Sequence, residues 1–254
     1  MKILTYNLNG IRAAEKKDLF GFLKRENLDV VCIQETKAQK DQFDGEFFSK
    51  LGYKDYWFSA QKKGYSGVLI LSKEEPIHVE YGCGHELFDF EGRVIRADFE
   101  NFSVFSIYFP SGTAGDVRQD VKYEFLDYIF DYLQEVKKKI PNLVVCGDYN
   151  ICHKAIDIHN PVSNKKSSGF LPEERAWMDK FYESGFTDGF RYFNEEPHHY
   201  TWWSYRANSR ANNKGWRIDY ISVSDGLKGE MLDSKILAED IHSDHCSMYL
   251  ELKG

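Results

Sequence analysis

The sequence lacks any apolar run approaching the roughly 20 residues that a membrane-spanning helix requires. Its first residues, MKILTYNLNG, also lack the long apolar stretch of a secretion signal, so we expect a cytoplasmic protein that has no membrane partner. Only 6 prolines and 19 glycines occur among 254 residues, which excludes collagen-like and low-complexity structure. The hydrophobic fraction of 42% supplies a sizeable core, and the length predicts one domain over residues 1–254.

An excess of basic charge is also missing. Lys and Arg number 33 against 40 Asp and Glu, which gives a formal net charge of −7. Proteins that coat nucleic acid passively carry a strong positive charge, so the balance argues against that class. An enzyme whose acidic residues hold a metal, and whose basic residues cluster locally, is still compatible with it.

Cysteine pairs are absent as well. The five cysteines are odd in number and never occur as C-x-x-C, so we expect neither a disulfide framework nor a structural zinc site. Cys32, Cys146 and Cys246 lie in apolar runs, which is typical of small buried side chains.

Apolar periodicity predicts an alternation of strands and helices. The strands are expected at 2–7, 29–34, 66–72, two within 94–109, 142–148, 217–224 and 245–252. The helices are expected at 15–26, 116–139 and 172–185. Adjacent strands mixed with β-helix-β units indicate an α/β protein in which helices cover mixed sheets.

Polar side chains interrupt the predicted strands at their ends, in segments far apart in the chain. They are Asn7, Asn9, Glu35, Asp148, Asn150, Asp219, Asp244 and His245. One such residue alone is usually a turn residue or a helix cap. Because ligand sites of α/β sheets assemble at strand ends, the whole set favours a functional site.

The chemistry of this set is specific. Carboxylate and amide oxygens are ligands for Mg²⁺ or Mn²⁺, and a histidine supplies a base. The sequence shows neither a serine nucleophile elbow nor a glycine-rich phosphate loop. The set therefore suits attack of water on a phosphodiester whose charge a metal neutralises.

A series of short motifs is similar to one known family. They are ILTYNLNGIRA (3–13), IQETK (33–37), GYSGV (64–68), YFP (108–110), GDYNICH (147–153), NPVSNKKSSGF (160–170), YTWWSYR (200–206), GWRIDY (215–220) and SDH (243–245). In this order and spacing the chain resembles, over essentially its whole length, the exonuclease III-type apurinic/apyrimidinic (AP) endonucleases. These form part of the endonuclease/exonuclease/phosphatase superfamily, and the WWSYR…GWRIDY arrangement resembles its bacterial branch.

The resemblance implies a four-layer α/β sandwich, in which two mixed sheets pack face to face with helices outside. It implies a Mg²⁺-dependent DNA repair nuclease, with Mn²⁺ as substitute, that cleaves 5′ to abasic sites. Further 3′-phosphatase, 3′-phosphodiesterase and 3′→5′ exonuclease activities are expected. The implied partner is double-stranded DNA with abasic sites or blocked 3′ ends, bound by a monomer at the bacterial nucleoid.

The resemblance also implies the metal ligands. Glu35 is the main ligand, helped by Asn7, Asp244 and Asn9. Some family members carry aspartate at the position of Asn9, so the amide here removes one charge. Some relatives also carry asparagine at the position of Ser167, which we leave outside the predicted site.

The implied catalytic residues surround the attacking water. Asp148 orients or deprotonates it, while Asn150 hydrogen-bonds the scissile phosphate or that water. Tyr108 donates to the phosphate, and His245 touches a phosphate oxygen or acts as base, with Asp219 fixing its tautomer. Whether Asp148 or His245 is the base stays open, because both assignments depend on shifted pKa values.

The implied substrate contacts fall into two groups. Trp202, Trp216 and Ile218 line a small apolar pocket for a sugar that has lost its base, the nucleotide that is cheapest to unstack. The remaining predicted contacts are Asn164, Lys166, Arg206 and Tyr65.

A local basic surface is expected despite the negative net charge. The segment 198–218 contains no acid but has Arg206, Arg210, Lys214 and Arg217. We expect such loops to contact DNA phosphates.

Two alternatives stay open. The first is another enzyme of the superfamily, such as a nonspecific deoxyribonuclease or a phosphatase of lipid or inositol substrates; the Trp202/Trp216 pocket argues against it. The second is a DNA-binding module with a dead site, and the full set of catalytic residues argues against that.

Overall fold

The computed structural model describes residues 1–239 and 241–253. Over these residues twelve strands form two six-stranded sheets. The strands are β1 (Lys2–Asn7), β2 (Val30–Gln34), β3 (Lys54–Phe58), β4 (Val68–Ser72), β5 (His78–Tyr81), β6 (Val94–Asp98), β7 (Ser103–Tyr108), β8 (Leu143–Asp148), β9 (Phe186–Asp188), β10 (Asp219–Ser224), β11 (Met231–Leu237) and β12 (Ser247–Leu252).

The helices vary from one turn to 24 residues. They are α1 (Ile11–Glu15), α2 (Leu19–Glu26), α3 (Glu86–Phe90), α4 (Asp116–Lys139), α5 (Pro161–Asn164), α6 (Pro172–Glu183), α7 (Gly189–Phe193) and α8 (Asp225–Lys228). Within the described ranges, none has the length and apolar character that a membrane crossing requires.

Both sheets are mixed. The first has the order β11-β12-β1-β2-β4-β3, and the second has the order β5-β6-β7-β8-β10-β9. One pair in each sheet is parallel, β1 with β2 and β7 with β8, and the other pairings are antiparallel. The two central strands of each sheet are therefore neighbours that run in the same direction.

The main core lies between the sheets. Apolar side chains of the first sheet, such as Ile3, Val30 and Ile70, pack with those of the second, such as Val104 and Val144. Each is 3% exposed or less. Burying a side chain of this size contributes about 1.5–3 kcal/mol, so this layer supplies much of the folding free energy.

Helices cover the outer face of each sheet. On the second sheet, Ile129 of α4 and Phe181 of α6 join a buried cluster with strand residues. On the first sheet, Ile11 of α1 and Phe22 of α2 do the same. The order helix, sheet, sheet, helix confirms the predicted four-layer α/β sandwich.

The predicted elements differ from the observed ones mainly at the sheet edges. The helix over 116–139 is confirmed at both ends. The helix predicted over 15–26 is wrong as one element, because Asp18 adopts a left-handed φ of 65° and starts α2 as its N-cap. Strands β3, β5, β9 and β11 were not predicted from the sequence. All four lie at sheet edges, where partial exposure weakens the apolar pattern.

The predicted burial of Cys32, Cys146 and Cys246 is confirmed. All five cysteine side chains are buried, including those of Cys83 and Cys152. Burial raises the pKa of the Cys152 thiol, which keeps it protonated and unreactive.

Candidate active site

Strand direction brings the predicted polar residues to one edge of the sandwich. Asn7, Tyr108 and Asp148 end their strands, whereas Asp219 begins β10, which runs antiparallel to β8. In the sheet register Asp148 pairs with Tyr108 on one side and with Asp219 on the other. His245 lies just before β12, which runs antiparallel to β1. The same edge therefore collects groups from both sheets.

Glu35 follows β2 in an uncommon backbone conformation. Its φ is 51°, a left-handed value that a side chain of this size rarely adopts without a functional reason. The Glu35 carbonyl accepts from the Gly10 amide (2.8 Å), and its carboxylate accepts from the Tyr108 hydroxyl (2.7 Å). Glu35 is thus held between the first sheet and the last residue of β7.

Asn7 joins the two sheets at the same edge. Its Nδ2 donates to Oδ2 of Asp148 (2.8 Å), and its Oδ1 accepts from the Asn9 amide (2.9 Å). The other carboxylate oxygen of Asp148 accepts from the Asn150 amide (2.8 Å). Asn150 also donates through Nδ2 to the Phe109 carbonyl (3.0 Å). The Asp148 carboxylate is therefore fixed by donors on both sides.

His245 is oriented by Asp219. The ring Nδ1 lies 2.9 Å from Oδ2 of Asp219, and Nε2 lies 4.0 Å from Oδ2 of Asp148. The backbone amide of Asp219 is held in turn by the Thr201 hydroxyl (3.1 Å). With a proton on Nδ1 directed at Asp219, the Nε2 edge faces Asp148 and the cavity.

The pKa values of this cluster are strongly shifted. Burial raises the pKa of Asp148, and the nearby negative charge of Asp219 raises it further, to about 7. Burial lowers the pKa of His245, but the charge and hydrogen bond of Asp219 outweigh it and raise the value to about 10. His245 therefore remains protonated at neutral pH, whereas Asp148 titrates near neutrality.

Asp244 connects the cluster to the aromatic pocket. Its carboxylate accepts from Nδ2 of Asn9 (2.9 Å), Nε1 of Trp202 (3.0 Å) and the Ser243 hydroxyl (3.1 Å). Burial raises the pKa of Asp244, but the charge of His245 and these donors lower it below the usual value. Asp244 is therefore ionised throughout the neutral range.

A cavity of about 850 Å³ opens over these residues. Predicted site residues that line it are Glu35, Tyr108, Asp148, Asn150, Lys166, Trp202, Trp216, Ile218, Asp244 and His245. The rings of Trp202 and Trp216 meet edge to face with centroids 6.0 Å apart. They pack with buried Ile218, so the predicted apolar wall is present. Trp203, by contrast, is buried in the core with Tyr200.

The remaining predicted contacts are not among the cavity-lining residues. Asn164 lies in α5 and donates to the His159 carbonyl (3.0 Å) of its own loop. Arg206 is exposed on the 198–218 segment. The Tyr65 hydroxyl donates to Glu91 (3.2 Å) and accepts from Arg93 (3.1 Å). The DNA contacts of these three residues stay predictions.

The predicted basic surface needs a correction. Arg217 is fully buried and pairs with Asp157 (2.8 Å) and Asp188 (2.7 Å), so its charge is structural. Arg210 donates to two backbone carbonyls and lies 4.7 Å from the Trp203 ring centroid. The acid-free composition of the segment could not reveal that Arg217 pairs with acids from elsewhere in the chain.

Lys37 is a site residue that the sequence prediction missed. Its ammonium lies 3.4 Å from Oε1 of Glu35 and donates to Oδ1 of Asn9. The available signal was its place in IQETK, two residues after Glu35. Arg93 was also missed: it is buried, lies 4.9 Å from the Tyr108 ring centroid and donates to the Tyr108 carbonyl (2.9 Å).

The donor set fits a divalent cation. Carboxylate oxygens of Asp148 and Asp219 lie within 4.8 Å of each other. Oδ1 of Asp219 is buried and has no hydrogen-bond partner within residues 1–239 and 241–253. The predicted ligands Glu35 and Asp244 add two carboxylates, linked through Lys37 and Asn9. Four carboxylates thus face only two basic groups, His245 and Lys37. A bound divalent cation would neutralise this excess of negative charge.

Comparison with known proteins finds relatives that match nearly the whole chain. The sequence profile of the Endonuclease/Exonuclease/phosphatase family matches residues 4–245. An exodeoxyribonuclease of Bacillus subtilis is 42% identical, over 98% of each chain. The DNA repair nuclease APEX1 of Danio rerio is 40% identical, over 99% of this chain and 82% of its own length.

Solved structures show the same fold. An AP endonuclease from Archaeoglobus fulgidus superposes with a TM-score of 0.91 at 30% identity, and the match covers all of both chains. The 3′ phosphatase NExo from Neisseria, bound to product DNA hairpin, gives a TM-score of 0.90 at 26% identity, again over both whole chains.

Proposed function

Because the chain belongs to the Endonuclease/Exonuclease/phosphatase family, and within it to the exonuclease III-type AP endonucleases, we propose a specific activity. The protein is a nuclease, a hydrolase of the phosphodiester bonds of DNA that acts in DNA repair. Its proposed reaction is Mg²⁺-dependent cleavage 5′ to an abasic site, which leaves a 3′-hydroxyl and a 5′-deoxyribose phosphate. The proposed partner is double-stranded DNA, bound by a monomer in the cytoplasm.

One observation carries this proposal. Asp148 and His245, which Asp219 orients, line one cavity together with the Trp202–Trp216 wall, so hydrolytic groups and an apolar sugar pocket are adjacent. A hydrolytic site alone would suit many phosphodiesters. The aromatic wall beside it favours a sugar without its base, which is the least costly nucleotide to place outside the duplex.

The shifted pKa values support Asp148 as the base. His245 is already protonated at neutral pH and is a poor proton acceptor, whereas Asp148 has a pKa of about 7. In the proposed step Asp148 takes the proton of the attacking water as the water oxygen bonds to phosphorus. The bond from phosphorus to the 3′-oxygen breaks, and the released 3′-oxygen takes a proton from solvent to become the 3′-hydroxyl. The imidazolium of His245 stabilises negative charge on the phosphate. Tyr108 and Asn150 donate hydrogen bonds to the phosphate.

Glu35 would hold the metal, with help from Asn7, Asn9 and Asp244. A bound divalent cation supplies charge neutralisation at the phosphate, and Mn²⁺ substitutes for Mg²⁺. Lys37, close to Glu35 and Asn9, adds a fixed positive charge to the same region.

The cavity also suits cleavage at blocked 3′ ends. In the removal of a 3′-phosphate, a 3′-phosphodiester or a terminal nucleotide, water attacks the phosphorus bound to the same 3′-oxygen. Only the group that leaves together with this phosphate differs. We therefore include 3′-phosphatase, 3′-phosphodiesterase and 3′→5′ exonuclease activity in the proposal.

The test uses a duplex with a single abasic site. We expect nicking with Mg²⁺ that stops on addition of chelator and returns when Mg²⁺ or Mn²⁺ is restored. A matched undamaged duplex is the control and should remain intact at equal enzyme concentration. Equal cutting of both duplexes would indicate a nonspecific deoxyribonuclease, and binding without cutting would indicate a dead site.

A further inference from the structure

A buried ion pair lies behind one wall of the cavity. The Lys122 ammonium of α4 is 2.6 Å from Oε1 of Glu174 in α6, and both side chains are 0% exposed. Neither residue is used in the chemistry described above. Transferring two charges to the interior costs more than their attraction returns unless further hydrogen bonds complete them. The partners of this pair are therefore informative.

The Glu174 carboxylate holds the backbone of the cavity wall. Its Oε2 accepts from the amides of Gly169 (2.7 Å) and Leu171 (2.9 Å), and its Oε1 also accepts from Nε2 of Gln119 (3.1 Å). Gly169, Leu171 and Gln119 all line the cavity. One buried carboxylate thus fixes three neighbouring parts of the same wall.

The Lys122 ammonium holds the opposite end of this arrangement. It donates to the backbone carbonyl of Asn150 (2.8 Å). The Asn150 amide donates in turn to the Asp148 carboxylate (2.8 Å). Asn150 therefore connects Lys122 to Asp148, the proposed base, through two hydrogen bonds.

Gly169 shows how closely the two parts fit. It has a φ of +93°, and a Cβ built there would lie 2.9 Å from Cζ3 of Trp216 and 3.1 Å from the Asn150 carbonyl oxygen. The backbone at Gly169, which Glu174 holds, is thus packed directly between Trp216 of the sugar pocket and Asn150. A displacement of this segment has to change the space beside Trp216.

We propose that Lys122 and Glu174 are positioning residues, which set the width of the sugar pocket and thereby its selectivity for a baseless nucleotide. The selectivity part of this inference rests on the proposed function. The positional part is independent of it, because it concerns the packing of residues 167–171 on Trp216.

The experiment compares Glu174→Gln, Lys122→Met and the double variant with wild type. Asp98→Asn is the matched control, since Asp98 pairs with Arg96 away from the cavity and also accepts from Ser103 (2.5 Å). Two quantities are measured on folded protein. One is the ratio of kcat/KM for abasic-site cleavage to kcat/KM for 3′-phosphate removal. The other is the ¹⁹F resonance of Trp216 in 5-fluorotryptophan-labelled protein, assigned with Trp216→Phe.

We expect the ratio to fall at least about tenfold in all three variants, since sub-ångström misplacement is costly in a fitted site. The Trp216 resonance should shift in the same variants and stay unchanged in Asp98→Asn. The double variant should regain thermal stability lost by the single variants, because it buries no unpaired charge. It should not regain the ratio, since methionine donates nothing to the Asn150 carbonyl.

A structural role alone predicts another result. Thermal stability would then change, while the kcat/KM ratio and the Trp216 resonance kept their wild-type values. The proposal is overturned if the double variant shows either a wild-type ratio or a wild-type Trp216 resonance. If the wild-type protein does not cut abasic DNA, the proposed function and the selectivity part fail together. The Trp216 resonance then decides the positional part by itself.

Discussion

At the scale of single residues, the catalytic edge depends on how His245 is held between two carboxylates. Asp219 contacts Nδ1 directly, while Asp148 faces Nε2 at 4.0 Å. The arrangement keeps the imidazole charged and the Asp148 carboxyl close to its titration point. Asp148 can therefore accept a proton at neutral pH, whereas His245 supplies a positive charge.

Asp148→Asn and His245→Ala should each lower turnover on abasic DNA by at least about 10²-fold, the usual scale for general-base or electrostatic groups. Steady-state cleavage assays measure the effect. DNA affinity, measured with chelator present, should survive Asp148→Asn, because that change removes no basic contact. Near wild-type cutting by both variants would show that the roles are assigned wrongly.

A second prediction concerns Asn9, whose amide bridges Lys37 and Asp244. Asn9→Asp adds a carboxylate beside the proposed metal ligands, so it should lower the Mg²⁺ concentration that gives half-maximal activity. Asn9→Ala is the matched control, since it removes the amide without adding charge and should not lower the midpoint. The hypothesis fails if Asn9→Asp leaves the midpoint unchanged or raises it.

At the scale of structural elements, a buried charge cluster anchors the segment that carries Trp216 and Ile218. The Asp157 carboxylate accepts from Arg217 (2.8 Å) and from Arg191 (2.7 Å), and Asp188 binds Arg217 on its other side. Burial raises the pKa of Asp157, but the two guanidinium groups outweigh it and lower the value to about 2.

This pKa predicts how stability depends on pH. A depressed carboxyl pKa contributes stability that is complete above the unfolded value of about 3.9 and is lost as pH falls towards 2. The shift corresponds to roughly 2–3 kcal/mol of unfolding free energy. Asp157→Asn should therefore lower stability at pH 7 by about 3 kcal/mol, since it leaves Arg217 only partly paired. Urea unfolding at pH 7 and pH 3 should show a smaller pH difference for the variant than for wild type. An unchanged difference would contradict this account.

The aromatic wall gives a further prediction at the element scale. Truncating a well-packed aromatic costs about 3–5 kcal/mol, so Trp216→Ala must be checked for folding by thermal unfolding. On the folded fraction, abasic-site cleavage should decline more than 3′-phosphate removal, because a 3′ end frays into the site without a fitted extrahelical sugar. Equal loss of both activities would place Trp216 in the scaffold instead.

Elements were predictable where their residues are buried on a regular period. The pattern of α4 gave both helix ends, and the runs around Cys32 and Cys146 gave central strands of each sheet. The edge strands escaped because partial exposure, as in β5, removes the alternation that marks a strand. The helix predicted over 15–26 is divided at Asp18, because the Asp18 side chain caps α2 (Gly21 N to Oδ1, 3.1 Å). Apolar periodicity gives no sign of such a side-chain cap.

At the scale of the whole molecule, the site exists only because two sheets meet. Asn7 ends β1 and Glu35 follows β2 of the first sheet, while Asp148 and Tyr108 end strands of the second. Hydrogen bonds of 2.7–2.8 Å join the two pairs. Motif order along the chain identified these residues. It could not give the partners of Arg217, the bridge through Lys37 or the Lys122–Glu174 pair, since each depends on distances between segments far apart in sequence.

The position and chemistry of the cut test the proposed abasic-site cleavage most directly. An abasic duplex labelled on both sides of the lesion is incubated with Mg²⁺ and either wild-type protein or Asp148→Asn, and both fragments are analysed by mass spectrometry. The account predicts one break, immediately 5′ to the abasic site, with a 3′-hydroxyl and a 5′-deoxyribose phosphate, that is almost absent with Asp148→Asn. A break on the 3′ side, an unsaturated sugar end or equal cutting by the variant would contradict it.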